Sequence, residues 1–198
     1  MKVSQTRAVL VLISVYLALL GLMRIVGDSY CTLWLPLLRV ELNWLLPTDA
    51  LMNVGIAMRH GERVYVAQIA LEKMPGGKLG NGESAIATVS SLTGNVVQPP
   101  IIVLSLVLSS ARLKMKRKCL GVLVSLAVIA TLFSIDLPWV LVGAVDELLR
   151  DNANVETAIS SNLTRYASAL DRGGRLALAV LGAWALIELL ARGNDQPA

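Results

Sequence analysis

Chemistry in a protein chain requires side chains that ionise, attack or ligate, and this sequence has few of them. His60 is its only histidine, and Cys31 and Cys119 are its only cysteines. His60 lies in "RHGE" with Glu62 close by and no cysteine near it in sequence. A metal centre needs three or four converging ligands, and general-base work needs a partner within hydrogen-bond reach. An exposed turn is therefore the expected place for His60. The Ser-His-Asp and Cys-His sets of hydrolases and transferases have no candidate. The glycines of "PGGKLGNGES" invite a phosphate-loop reading, but that motif needs four residues between its first glycine and a Gly-Lys-Ser/Thr, with a helix following. Neither condition is met, and a flexible connection is expected. No cofactor, metal or catalytic residue is assigned.

The remaining chemistry lies in ionisable residues beside apolar runs, which in hydrocarbon must be paired, wet or able to reach the interface. Arg24 and Asp136 are placed at comparable depth and form a candidate interhelix polar pair; the alternative is that each snorkels independently. Glu188 precedes Arg192 by four residues, the spacing of a same-helix ion pair. A proton or ion pathway would need polar residues at mid-depth on several spans, a pattern not seen here. Asn162-Leu163-Thr164 matches a glycosylation acceptor, which matters only in a eukaryotic secretory setting.

The elements that position these residues follow from hydropathy. The 198 residues are 55% hydrophobic and 16% charged, too apolar for an ordinary soluble domain. Ala8 to Val26, Cys119 to Ile135 and Leu176 to Leu190 are long apolar runs. Val96 to Ala111, led by Pro99 and Pro100 where a first helical turn tolerates proline, is a shorter fourth. The expected fold is a membrane α-helical protein with about four transmembrane helices, a small extracytoplasmic β-rich segment and an outer amphipathic helix. Residues 1–26 read as an uncleaved signal-anchor span and 27–98 as an extracytoplasmic segment, an interfacial piece followed by a short sheet. Residues 99–148 read as a two-helix hairpin, and 149–198 as the amphipathic helix, last span and cytoplasmic tail.

Orientation follows from "ARLKMKRKC". Arg112, Lys114, Lys116, Arg117 and Lys118 put five basic residues in seven positions. A dense, short basic turn stays cytoplasmic, whereas charges dispersed over long segments are translocated. Both termini are then cytoplasmic. The long side chains extend the short helix to the headgroups and can contact anionic lipid. Nucleic-acid binding is not expected of one membrane-flanked loop without interleaved aromatics. Cys31 and Cys119 fall on opposite sides, so no disulfide joins them, and each is read as a small buried residue.

In the outer segment, Trp34 and Trp44 among leucines, and Trp139 after Pro138, are expected interfacial anchors. The periodicity of Tyr30 to Pro47 leaves strand and helix open. Alternation from Met52 to Met58, the "RHGE" turn, Val64 to Leu71 and Ala85 to Leu92 predict three strands. Val155, Ile159, Leu163, Tyr166 and Leu170 form an apolar stripe, with "RDNAN" suited to cap its helix and "RGGR" to end it.

The order of these features resembles that of the exosortase-associated small integral membrane proteins. An amino-terminal anchor, a Trp- and Leu-rich membrane-proximal piece and a strand-rich outer segment precede the proline-led "QPPIIVLSLVLSS". The basic turn, another span, an outer segment from "VDELL" and a last helix follow. The resemblance implies an accessory part in sorting or processing surface proteins at a bacterial cytoplasmic membrane. The chain is not similar to an exosortase itself, whose site needs Cys, Arg and His with surrounding motif residues that are absent here. The leading expectation is a non-catalytic accessory or assembly subunit, its partners the lipid bilayer and other membrane protein subunits. The alternative is a membrane-embedded enzyme or transporter component using Arg24, Asp136 and His60 at the outer interface.

Overall fold

The computed structural model describes the backbone of residues 2–71, 86–153 and 158–192, and the side chains of 6–71, 86–149 and 162–192. The glycine-rich loop Met74 to Gly82 lies outside the described residues, as do the side chains of Val155 and Ile159. The chain is mostly helical. Helix α1 (Lys2–Leu45) leads into strands β1 (Leu51–Arg59), β2 (Glu62–Ala70) and β3 (Ile86–Leu92), followed by α2 (Gly94–Ser109) and α3 (Met115–Ala153). Helix α4 (Ala158–Ala169), a kinked turn at Leu170–Gly174 and α5 (Arg175–Arg192) complete it. Three helical stretches, Thr6–Leu45, Met115–Leu149 and Asn162–Arg192, are long and apolar enough to cross a membrane. Helix α2 has 16 residues and is apolar but shorter.

Two helices run further than their sequences suggest. The segment from Tyr30, whose pattern left strand and helix open, continues α1 unbroken to Leu45. Its buried residues Cys31, Leu38 and Leu42 recur at helical spacing, and that stripe outweighs Pro36, which withholds one N–H from the carbonyl of Thr32. Helix α3 likewise does not end at Pro138 and Trp139 but continues to Ala153. Leu137, Leu141 and Val145 are almost wholly buried along that continuation. Arg150 to Ala153 of "RDNAN" are therefore the last residues of α3 rather than the start of a new helix, and Asn154 lies outside the described residues.

The chain forms two compact units. One comprises Met1–Asp28, Val97–Leu132 and Gly174–Ala198; the other comprises Ser29–Val96 and Phe133–Gly173.

In the first unit, Val107, Leu113, Leu186 and Leu190 are buried together, with Val124, Val128 and Ile187 packed against them. Small residues bring the helices close. A Cβ on Gly121 would lie 2.8 Å from Val107 Cγ1, and one on Gly182 would lie 2.9 Å from Val128 Cγ1. Ser125, one turn after Gly121, folds its hydroxyl back onto the Gly121 carbonyl at 2.7 Å, keeping its polar atom off the interface. Close backbone approach through Gly, Ala and Ser is the usual basis of helix association where hydrophobic burial gives no net drive.

In the second unit, the strands form an antiparallel sheet in the order β1-β2-β3. All three expected strands are present. His60 and Gly61, at φ 51° and 81°, make the two-residue turn between β1 and β2, the left-handed geometry that suits the twist of a hairpin. On β2, Tyr65, Ala67 and Ile69 are fully buried, and their register partners on β3, Ser91, Val89 and Ala87, are buried too. This is the period-two alternation of a sheet with one covered face. The Tyr65 hydroxyl donates to the Cys31 carbonyl of α1 at 2.9 Å, a bond 34 residues long in sequence. Trp34, one turn on, stacks on Phe133 at 4.8 Å between ring centroids and meets Tyr30 edge-on at 5.9 Å.

Two stability predictions follow from these contacts. Gly121→Leu should cost about 1–3 kcal/mol by overpacking against stiff Val107, whereas Gly21→Ala, with open space around it, should be neutral or slightly stabilising; thermal unfolding in detergent distinguishes them. Burial pushes the Tyr65 phenol far above its ordinary value, so the folded state favours its neutral form. The stabilisation is complete below the unfolded value of about 10 and declines as pH rises beyond it. Tyr65→Phe should cost about 1–2 kcal/mol at neutral pH and should flatten the loss of stability seen in the parent protein above that pH.

Candidate functional site

The strongest concentration of charge is the turn between α2 and α3, and its cations are not equivalent. Leu113 is buried in the apolar cluster of the first unit, which pins the middle of the turn and sends the flanking basic side chains outward. Lys118 donates to the Leu108 carbonyl at 2.6 Å. Arg117 donates through Nη1 to the Leu190 carbonyl. Leu108 and Leu190 belong to the last turns of α2 and α5, where backbone carbonyls lack helical N–H partners and carry the negative end of the helix dipole. Two cations thus close two helix ends. Ser109 adds a weak bond of 3.4 Å from its hydroxyl to the Leu106 carbonyl.

Arg112 has a different partner. Its Nη1 is bonded to Glu188 Oε1, so Glu188 reaches the basic turn rather than Arg192 on its own helix. The Arg112 side chain is 67% exposed, so the pair contributes at most about 1 kcal/mol to stability. Lys114 and Lys116 are exposed, while the Lys114 carbonyl accepts the backbone N–H groups of Arg117 and Lys118 and starts α3. The five cations that read as one topological signal are therefore two helix-end caps, one ion-pair partner and two solvent-facing lysines.

The other candidates belong to several different elements. Arg24 is exposed on α1 within the first unit, and Asp136 is 7% exposed on α3 within the second. Asp136 neighbours the Tyr166 phenol, which feels its charge, and the Tyr166 hydroxyl donates to the adjacent Ile135 carbonyl. Trp34 is half-buried against Phe133, Trp139 is half-buried, and Trp44 is 83% exposed. His60 is exposed at the hairpin tip. Cys31 is buried, but Cys119 is exposed, contrary to the buried position expected of it. Among the described residues, no group of three or more His, Cys, Asp or Glu side chains is arranged to hold a metal ion.

Sequence reasoning missed Tyr65 and the caps at Leu108 and Leu190. Tyr65 carried no signal beyond its place in an alternating strand, because its partner is a backbone atom. The pairing of Glu188 with Arg112 had a faint signal: a lone carboxylate near the end of the last apolar run, matched by a basic turn. No known protein family, curated protein or solved structure matches the chain.

The caps predict a graded response to charge removal. Arg117→Ala and Lys118→Ala should each cost about 1–3 kcal/mol, because each leaves a helix-end carbonyl without its charged donor. Lys114→Ala and Lys116→Ala should each change stability by less than about 0.5 kcal/mol. Thermal unfolding of the four variants in one detergent is the measurement, and equal effects at all four positions would contradict the capping geometry.

Proposed function

We propose that this chain is a non-catalytic accessory or assembly subunit of a larger bacterial membrane protein complex. In this reading the first unit is the membrane part. Its α2 and α5, of 16 and 18 residues, are about 24 and 27 Å long at 1.5 Å per residue, close to the roughly 30 Å of a hydrocarbon core. With the first stretch of α1 and the first half of α3 they make four crossings, the short α2 being helped by the cations that follow it. Large apolar side chains such as Leu10, Leu17, Leu123, Leu181 and Leu189 are exposed on these helices, as lipid-facing surfaces require. The dense basic turn and both termini then lie on the cytoplasmic side, and the sheet lies outside.

The observation that carries the accessory reading is the outer edge of β1, which no other described strand pairs. None of the nine residues of β1 is buried, and Met52 and Met58 are 53% and 62% exposed. An open nine-residue edge with apolar side chains is a template for another chain, and proteins that work alone blunt or cover such edges. Ile86 and Leu92 add exposed apolar surface at the ends of β3. A partner protein of the same membrane would cover this surface. The resemblance to exosortase-associated proteins suggests sorting or processing of surface proteins as the process served.

Blue-native electrophoresis of mildly solubilised membranes tests the proposal. The parent protein is expected in a hetero-oligomeric band, and a Met52→Asp, Met58→Asp double variant is expected to run as a monomer with unchanged thermal stability. A parent protein that runs as a monomer, or a variant that stays in the same band, would sink it.

A further inference from the structure

Beside the basic turn, α1, α2 and α5 leave a groove within the first unit. Its inner part, a hollow of about 300 Å³, is walled mainly by Leu12, Ile13, Leu17, Ile102 and Val180, with Tyr16 and Ser105 also on its wall. Its outer part, about 430 Å³, contains Ser109, Ser110 and Arg112, with Trp184 also on its wall. The two hollows lie on either side of Leu12 and Leu106, the inner one lined mostly by apolar side chains and the outer one carrying Arg112, Ser109 and Ser110.

We infer that this groove is a binding site for one anionic phospholipid, an acyl chain lying in the apolar part and the phosphate held by Arg112 with Ser109 and Ser110. Charge complementarity selects this occupant. The walls belong to helices whose apolar side chains face outward, and the charged group, Arg112, sits at the end where α2 gives way to the basic turn. An amphiphile with an anionic head has that same distribution. Arg112 engages Glu188 through one nitrogen, and the guanidinium has five N–H donors, so it can hold a phosphate alongside the carboxylate. Arg117 and Lys118 are committed to the Leu190 and Leu108 carbonyls. Neither they nor Lys114 and Lys116 line the groove, so Arg112 is the cation that sets headgroup preference. A second copy of the chain, or an apolar helix from a partner, would fill the inner hollow but leave unmet the Arg112 N–H donors that Glu188 does not use. The site belongs to this chain alone and is independent of whether a protein partner covers the sheet.

Native mass spectrometry of the purified full chain, with dioleoyl phosphatidylglycerol or dioleoyl phosphatidylcholine added, tests this. One phosphatidylglycerol per chain is expected to survive activation that strips phosphatidylcholine. Arg112→Ala should lower the retained fraction roughly fivefold, in line with one interfacial cation, and Lys116→Ala should leave it unchanged. Leu12→Trp, which fills the shared part of the groove, should remove retention of both lipids while preserving helical content and melting temperature. Equal retention of the two lipids would overturn the proposal, as would equal losses in the Arg112 and Lys116 variants. So would displacement of the lipid by inorganic phosphate alone, or a lipid-free dimer that Leu12→Trp converts to monomer.

Discussion

A helix that ends in or near hydrocarbon leaves carbonyl groups that water cannot reach, and each must find a donor within the protein. Helix α2, 16 residues long, is shorter than the three stretches able to cross a membrane, and its last turn is closed from within the protein. Lys118 meets the need at Leu108, and Arg117 does the same for α5 at Leu190. The turn is thereby tied to both helices it must hold together. Leu113 fixes its centre among Val107, Leu186 and Leu190, and Gly121 lets α3 come close enough for those side chains to interlock. The packing of the first unit and the spread of its cations are two aspects of one arrangement.

The second unit solves a different problem with different chemistry. A three-stranded sheet of this size buries too little apolar surface to stand alone, so its covered face depends on helices. Leu38 and Leu42 of α1, Leu137 and Leu141 of α3, and Tyr65 and Ile69 of β2 are among the fully buried side chains there. The Tyr65 bond to Cys31 gives this apolar contact a direction. A hydroxyl buried on β2 must find an acceptor, and it finds one at a single carbonyl of α1, which restricts how far the sheet can slide along the helix.

Much of this was legible in the sequence because it rests on periodicity and on turn chemistry. The three strands, the His60-Gly61 turn and the apolar helices each follow from local pattern. What was not legible depends on atoms far apart in the chain. The pattern of Tyr30 to Pro47 left strand and helix open, and Pro138 with Trp139 read as the point where a span leaves the interface; both helices continue through Pro36 and Pro138, since a long buried stripe on one side outweighs one lost backbone bond. The five basic residues looked alike because sequence reports charge and not acceptor. Only the positions of the Leu108 and Leu190 carbonyls separate Arg117 and Lys118 from Lys114 and Lys116.

That separation bears on how the chain meets its surroundings. Cations spent on helix ends have little attraction left for a headgroup or a partner, because their charge is already met at short range. Arg112 is shared with one carboxylate and remains two-thirds exposed; Lys114 and Lys116 are exposed, with no side-chain partner among the described residues. The capacity for outside contact is thus concentrated at three of the five positions, and only Arg112 combines it with a neighbouring apolar groove. At the sheet the same reasoning runs on apolar surface: Tyr65 and Val89 are used in packing, whereas β1 pairs with β2 alone among the described strands and leaves Met52 and Met58 exposed. In both units, the surfaces open to function are those that the fold itself has no need to use.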